Sequence, residues 1–294
     1  MRPDGEITRG TTNPSRLRRV DRWIAGALPD VLRASARPLV VDLGFGASPV
    51  TTLELYRAVR AVVPAAEVTG LEIDPARVAA ASRQLAALRA AGEELPGLSF
   101  GLGGFELPLP RRPVLVRAFN VLRQYREDQV GAAWSRMRAG LAAGGVLVEG
   151  TCDEIGRRAV WVTLPATSRP ARPGERDGGG ALVTFSARTA SLGRPSELAE
   201  RLPKALIHRN VPGEPVYQFL RDFDRAWAAA APYAVFGPRQ RWLSAVAALS
   251  AAWPVLRSAP LGGPRRWRLG EVTLPWTAVA PSDSREPGRD RHLR

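Results

Sequence analysis

The sequence is poor in the residues that build disulfides and metal centres. It contains one cysteine, Cys152, and two histidines, His208 and His292. A single cysteine excludes a disulfide within the chain and a metal site built from several cysteines. Two histidines argue against a multi-histidine site. We therefore expect no bound metal, and a reducing compartment such as the cytoplasm.

Long hydrophobic runs are also missing. The longest, from Trp242 to Leu256, contains Ser244, Ser250 and Pro254 and is shorter than the ~20 apolar residues that span a bilayer. The amino-terminal residues are polar and lack the apolar segment of a signal peptide. We expect no membrane span and no export, which again favours the cytoplasm.

Lysine is almost absent, since Lys204 is the only one, but 42 basic residues against 28 acidic ones give a net charge of +14. A positive surface attracts RNA and acidic metabolites. The arginines are scattered, and the sequence has no RNA-binding motif with interleaved aromatic residues. We therefore rank a small molecule ahead of RNA as the partner. The pattern leaves the oligomeric state open.

The most informative segment runs from Val40 to Pro49 and reads VVDLGFGASP. Its apolar, β-branched start is typical of a strand that is covered on both faces. Gly44 and Gly46 allow a sharp turn and a close approach to a ligand. Ser48 is a favoured helix cap, and Pro49 suits the first helical position. The segment predicts a strand, a ligand-binding turn and a helix.

The composition of this turn discriminates between cofactors. A dinucleotide fingerprint has a third glycine where this chain has Pro49, which argues against a pyrophosphate at the helix end. Asp42, two residues before the first glycine, makes the segment resemble the first motif of class I S-adenosylmethionine (SAM)-dependent methyltransferases. The resemblance implies that the backbone of Gly44, Phe45 and Gly46 holds the amino-acid end of SAM, with Asp42 in the same site.

A second motif, Val68 to Pro75, reads as the next strand and the start of its helix. Glu72 falls at the carboxyl end of the strand, where a carboxylate can accept two hydrogen bonds from a ribose diol. The resemblance implies this role for Glu72 and the packing of Ile73 against adenine. The interval from Gly46 to Glu72 is longer than in most members of the family. This length predicts a long first helix over Val50 to Val63.

The sequence departs from the family pattern just after the third strand, Leu98 to Leu102. The family carries an acidic residue at the position of Gly104, where it meets the adenine amino group. Here Phe105 could pack on adenine instead, and Glu106 could replace the missing carboxylate. We include Gly104 and Phe105 among the candidate cofactor contacts. The resemblance covers residues 38 to 150.

The candidates for catalysis lie at the end of the fourth strand, Val114 to Asn120, and just after it. Ligands bind beyond the carboxyl ends of parallel strands, so Arg117, Phe119, Asn120 and Tyr125 are expected to face the reaction zone. Asn120 is a candidate for both cofactor binding and catalysis, and Tyr125 for catalysis. His208 could act as a base, but the sequence favours a surface or packed histidine, because nothing nearby fixes its role.

Other basic and polar residues could complete the site. Lys204, Arg209 and Arg194 could clamp an anionic acceptor if their segment folds over the cleft. In the amino-terminal arm, Arg9, Thr11 and Thr12 could close the site, or the arm could be solvated. Cys152 is more often a packed small residue than a nucleophile.

The order of elements predicts an α/β fold. We expect a Rossmann-like, doubly wound, mostly parallel sheet with helices on both faces, antiparallel closing strands and a helical carboxyl-terminal extension. The domains are an arm and helix over 1–37, a SAM-binding core over 38–190, a mainly helical cap and substrate region over 191–280, and a disordered tail over 281–294. A mobile loop is expected between Ser168 and Gly180.

The sequence thus predicts a cytoplasmic SAM-dependent methyltransferase whose acceptor is unidentified, with a small molecule favoured over RNA. Two alternatives remain open. One is a SAM-binding module that performs no transfer, favoured by the missing carboxylate at Gly104. The other is an NAD(P)-dependent oxidoreductase, since a glycine turn after the first strand occurs in many doubly wound domains.

Overall fold

A computed structural model of the protein describes residues 3–7, 10, 12–167 and 180–282. In this part of the chain one eight-stranded sheet has the order β3-β2-β1-β4-β5-β6-β7-β8. The strands are β1 (Leu39–Leu43), β2 (Glu67–Glu72), β3 (Leu98–Leu102), β4 (Leu115–Phe119), β5 (Val146–Cys152), β6 (Arg158–Pro165), β7 (Leu182–Ala187) and β8 (Glu271–Pro275). The first five are parallel, and β6, β7 and β8 are antiparallel to their neighbours.

Helices connect the parallel strands and cover the sheet. The helices are α1 (Arg18–Ala27), α2 (Pro29–Arg33), α3 (Val50–Arg60), α4 (Pro75–Ala90), α5 (Glu127–Gly140), α6 (Lys204–Ile207), α7 (Pro215–Ala229), α8 (Pro238–Ala252) and α9 (Pro264–Trp267). The helix predicted to reach Val63 ends at Arg60. Pro64 follows, and a proline disfavours helical geometry in the residue before it.

The strand order β3-β2-β1-β4-β5 is that of a doubly wound sheet, in which the order reverses between β1 and β4. Two hydrophobic clusters form the core. In one, Trp23 of α1 contacts Trp161 of β6, with ring centroids 5.3 Å apart. In the other, Phe185 of β7 contacts Phe219 of α7 at 4.7 Å. The predicted fold class is confirmed.

The carboxyl-terminal helices pack on the antiparallel part of the sheet. Phe223 of α7 contacts Trp242 of α8, with centroids 5.2 Å apart, within the cluster that includes Phe185. The last strand, β8, pairs with β7 in the same sheet. The domain boundaries given above stay a prediction. Residues 168–179 and 283–294, which contain most of the predicted loop and tail, lie outside the described residues.

A buried arginine joins four elements of the core. Arg117 of β4 is 0% exposed, and its Nε donates to Asp42 Oδ1 of β1 at 3.0 Å. Its Nη2 donates to the carbonyl of Thr51 in α3 at 2.9 Å, and its Nη1 to Asp21 of α1. The expectation that Arg117 faces the reaction zone is therefore wrong, because two buried carboxylates hold its side chain inside the fold.

We expect Arg117→Met to lower the free energy of unfolding by roughly 3–5 kcal/mol, because it leaves the Asp21 and Asp42 carboxylates buried without their cation. Denaturant unfolding measures this change. Arg239→Met, on the exposed start of α8, removes the same charge and is the control. A loss equal to that of the control would show that the buried network contributes nothing.

A second buried carboxyl group forms no ion pair within the described residues. Glu149 of β5 is 0% exposed, and its Oε2 accepts a hydrogen bond from Trp134 Nε1 at 3.2 Å. Its Oε1 has no hydrogen-bond partner. Burial raises the pKa of Glu149 from 4.5 to about 8. The folded protein therefore keeps a proton that the unfolded chain releases at lower pH.

Because the unfolded state loses this proton first, Glu149 destabilises the fold increasingly as the pH rises from 4.5 to about 8. We therefore expect the free energy of unfolding of Glu149→Gln, relative to that of the native chain, to be higher at about pH 9 than at about pH 5. The expected increase is on the order of a few kcal/mol. Unfolding curves at both pH values measure this, with the exposed Glu94→Gln as control. The same stability difference at both pH values would contradict the expectation.

Candidate active site

A crevice lies where the carboxyl ends of β1, β2 and β4 meet. It contains two adjoining cavities that share Leu43, Gly44 and Val121. The larger has a volume of about 280 Å³ and is bordered by the turn after β1 and the residues after β4. The smaller, of about 20 Å³, is bordered by the ends of β2 and β3. This is the position at which doubly wound sheets bind ligands.

The turn after β1 has the geometry that its glycines predict. Gly44 and Gly46 have φ values of +72° and +81°, which favour glycine. Asp42 stabilises this region from below, since its oxygens accept hydrogen bonds from Arg117 Nε at 3.0 Å and Thr52 Oγ1 at 2.7 Å. The backbone of Gly44, Phe45 and Gly46 borders the larger cavity.

Glu72 lies directly opposite this turn. It is 2% exposed at the end of β2, and its Oε2 accepts a hydrogen bond from the Gly46 backbone N–H at 3.0 Å. Its Oε1 accepts one from the Ile73 N–H at 2.9 Å. Arg77 Nη1 of α4 is 3.6 Å from Oε2. The sequence placed these two motifs on neighbouring strands, and the folded chain brings them into contact.

The amino-terminal arm borders the smaller cavity. The carbonyl of Asp4 accepts a hydrogen bond from the Phe105 N–H at 3.0 Å, and the Asp4 N–H donates to Glu106 Oε2 at 2.9 Å. A Cβ on Gly104 would lie only 1.9 Å from the Asp4 carbonyl oxygen. The absence of a side chain at Gly104 therefore leaves the space that the arm fills.

Further along, the arm also contacts the glycine turn. The Ala47 N–H donates to the Gly10 carbonyl at 2.9 Å, and Thr12 Oγ1 donates to the Phe45 carbonyl at 2.9 Å. Of the three arm residues considered for closing the site, Thr12 thus touches it, while Arg9 and Thr11 lie outside the described residues.

Asn120 is held in a strained conformation beside the larger cavity. Its φ is +59°, which is uncommon for a residue with a side chain. The Asn120 N–H donates to the Gly150 carbonyl at 2.8 Å. Its Oδ1 accepts from the Cys152 N–H at 3.1 Å, and its Nδ2 lies 3.3 Å from the Cys152 sulfur. Strained backbone of this kind clusters at functional sites.

The other catalytic candidates differ in position. Tyr125 borders the smaller cavity, and its hydroxyl accepts a hydrogen bond from the Glu6 N–H of the arm. Burial raises the pKa of Tyr125, and burial also raises that of Cys152. His208 is exposed at the end of α6 and borders neither cavity. The structure therefore brings Asn120 and Tyr125, but not His208, to the crevice.

Sequence reasoning missed the basic residues of the larger cavity. Arg16, Arg123 and Arg201 border it. The three residues suggested as an anion clamp, Lys204, Arg209 and Arg194, do not. Arg209 Nε instead donates to Glu127 Oε1 at 2.9 Å. The signal that could have identified Arg123 is its position just after β4, three residues beyond Asn120.

Two further properties of the described residues concern metals and membranes. Within residues 3–7, 10, 12–167 and 180–282, no group of three or more histidine, cysteine, aspartate or glutamate side chains is placed to hold a metal ion. No helix in these ranges is both long enough and apolar enough to cross a membrane.

The arm contact can be tested without any ligand. We expect Gly104→Ala to displace residues 3–7, because its Cβ would collide with the Asp4 carbonyl. Amide hydrogen exchange followed by mass spectrometry should then show faster exchange in the arm. Gly131→Ala, where a Cβ meets nothing within 4 Å, is the control. Unchanged protection of the arm in Gly104→Ala would contradict the contact.

Comparison with known proteins gave matches among solved structures. No protein-family model matches the chain, and no curated protein matches it. Magnesium protoporphyrin IX methyltransferase from Synechocystis PCC 6803 with bound S-adenosylhomocysteine (SAH) is 19% identical, over 46% of this chain and 53% of that one, with a TM-score of 0.34. N,N-8-amino-8-demethyl-D-riboflavin dimethyltransferase from Streptomyces davawensis is 18% identical, over 42% and 35%, with a TM-score of 0.30.

N-methyltransferase NodS from Bradyrhizobium japonicum WM9 is 17% identical, over 46% of this chain and 66% of that one, with a TM-score of 0.31. This chain therefore spans between 35% and 66% of the length of these three structures. All three are methyltransferases.

Proposed function

We propose that the protein is a SAM-dependent methyltransferase that acts on a small molecule. The observation that carries this proposal is the contact between Glu72 and the glycine turn, with 3.0 Å between Glu72 Oε2 and the Gly46 nitrogen, at the reversal of strand order. The Glu72 carboxylate, which could bind a ribose diol, therefore lies next to the backbone of the glycine turn, which could bind an amino-acid group. A pyrophosphate would find no third glycine here, because Pro49 takes that position.

Phe105, at the smaller cavity, and the adjacent Glu106 have hydrogen-bonding groups that match adenine. The Phe105 N–H donates a hydrogen bond and the Glu106 carboxylate accepts one, and both currently bind the peptide groups of Asp4. Adenine could replace both peptide groups of Asp4. Its N1 accepts a hydrogen bond, as the Asp4 carbonyl does, and its N6 amino group donates one, as the Asp4 N–H does. Glu106 thus supplies the carboxylate that Gly104 cannot. Ile73 and the Phe105 ring border the same cavity and would pack on the base.

These assignments give each residue a role. Glu72 would bind the ribose, and the backbone of Gly44 to Gly46 would bind the amino-acid end. Asp42 would stabilise the turn through its hydrogen bonds with Arg117 and Thr52. The arm would have to leave the Phe105 N–H before adenine could bind there. When bound, SAM supplies an activated methyl group.

The remaining work falls to the chain, which must orient the acceptor and exclude water. Asn120 borders the larger cavity and is fixed by its hydrogen bonds to β5, so its amide would orient the acceptor. Tyr125 borders the smaller cavity, and its hydroxyl accepts a hydrogen bond from the Glu6 N–H of the arm, so a catalytic role for it stays a prediction. A cytoplasmic location and RNA as a second acceptor class stay predictions.

Calorimetry with SAH tests the proposed function. We expect Glu72→Gln to weaken SAH binding by at least about tenfold, because hydrogen bonds to a charged group are stronger than neutral ones. The exposed Glu94→Gln is the control. Gly44→Val is a poor probe, because its Cβ would lie 2.6 Å from Val121 at a φ of +72° and would strain the fold itself.

Two results would defeat the assignment. One is SAH binding that is equally strong in Glu72→Gln and in the control. The other is binding of a nicotinamide dinucleotide that is tighter than that of SAH, which would favour an oxidoreductase. SAH binding without any labelled product from radiolabelled SAM and cell extract would favour a module that binds SAM and transfers nothing.

A further inference from the structure

We propose that the acceptor is an anionic small molecule whose carboxylate or phosphate group binds between Arg123 and Arg201, with Arg16 beside them. This inference rests on the proposed methyltransferase function and adds the chemical class of its substrate. The three residues come from the segment before α1, from the residues after β4 and from the end of a 3₁₀ helix, Pro195–Arg201. The fold brings them to one cavity of about 280 Å³.

Within the described residues, the positive charges of Arg123 and Arg201 are incompletely neutralised. Arg201 Nε is buried and has no hydrogen-bond partner, and the Arg201 Nη2 is 3.9 Å from Glu200 Oε2. Arg123 Nη1 donates to a backbone carbonyl, that of Glu200, at 3.2 Å. Burial lowers the pKa of Arg123, and the positive charges of Arg201 and Arg16 lower it further. An anion would relieve both the desolvation and the repulsion.

Two of the nearby carboxylates also have other cationic partners. Asp42 borders the cavity, but its oxygens bind Arg117 and Thr52. Glu200 is also 3.6 Å from Arg158. Glu154 borders the cavity and is exposed to solvent. A bound carboxylate or phosphate would add a close charge partner for Arg123 and Arg201, and the planar guanidinium group suits both anions.

The position of the arginines favours the acceptor over the cofactor. Arg123 and Arg201 border the larger cavity together with Asn120 and Cys152, beyond β4 and β5. Glu72, Ile73 and Phe105 border the smaller cavity instead. Gly44 borders both cavities, so an acceptor bound by Arg123 and Arg201 would lie across the glycine turn from Glu72.

Calorimetry of the full chain with inorganic phosphate and, separately, with benzoate tests this inference and distinguishes the two anions. We expect at least one of them to bind, and Arg123→Gln and Arg201→Gln each to weaken that binding by about tenfold. Arg239→Gln, exposed on α8, removes the same net charge and should leave binding unchanged. Unfolding midpoints of the variants show that each is folded.

SAH titrations of the same variants separate this inference from the proposed function. We expect Arg123→Gln and Arg201→Gln to bind SAH as the native chain does. If both lose SAH affinity as strongly as anion affinity, the arginines hold the cofactor and the inference is wrong. Absence of phosphate and benzoate binding, or equal binding by all variants, also overturns it. Arginine-dependent anion binding in a chain that binds no SAH would instead defeat the proposed function and leave the anion site standing.

Discussion

The interaction on which the candidate site depends is the buried contact of Arg117 with Asp42 and Asp21. Through it, β4 is tied to β1, to α1 and to the start of α3, where the Thr51 carbonyl accepts a third hydrogen bond. Removing charges from water is costly, and only close pairing with further hydrogen bonds offsets that cost. The glycine turn connects β1 to α3, so both of its ends are fixed by this network. The backbone of the glycine turn can therefore be rigid.

In the crevice above the network, the amino-terminal arm uses groups that the proposed cofactor would need. The peptide groups of Asp4 use the hydrogen-bonding groups of Phe105 and Glu106 that would recognise an adenine. Gly104 and Gly46 leave room for a close approach, and the arm takes that room at both places. The same backbone features that suit a cofactor thus suit a strand of polypeptide, because both present alternating donors and acceptors.

Local sequence was a reliable guide where the chemistry is local. The strand and turn around Gly44, the strand ending at Glu72 and the order of helices and strands follow from hydrophobic patterns and from glycine and proline chemistry. Prediction failed for side chains whose partners are distant in sequence. Arg117 was expected in the reaction zone, but Asp21 lies 96 residues away and Asp42 75 residues away, and no local pattern encodes such pairing.

The sequence by itself determined a doubly wound sheet and a turn built for close backbone approach to a ligand, because glycine spacing and strand hydrophobicity act over a few residues. Only the tertiary structure decided which arginines meet in the larger cavity and which serve the core. It also decided that the Asp4 segment lies against Phe105 and that His208 stays outside the crevice. These outcomes depend on how distant segments pack together, and the balance of burial and charge that selects them exists only in the folded chain.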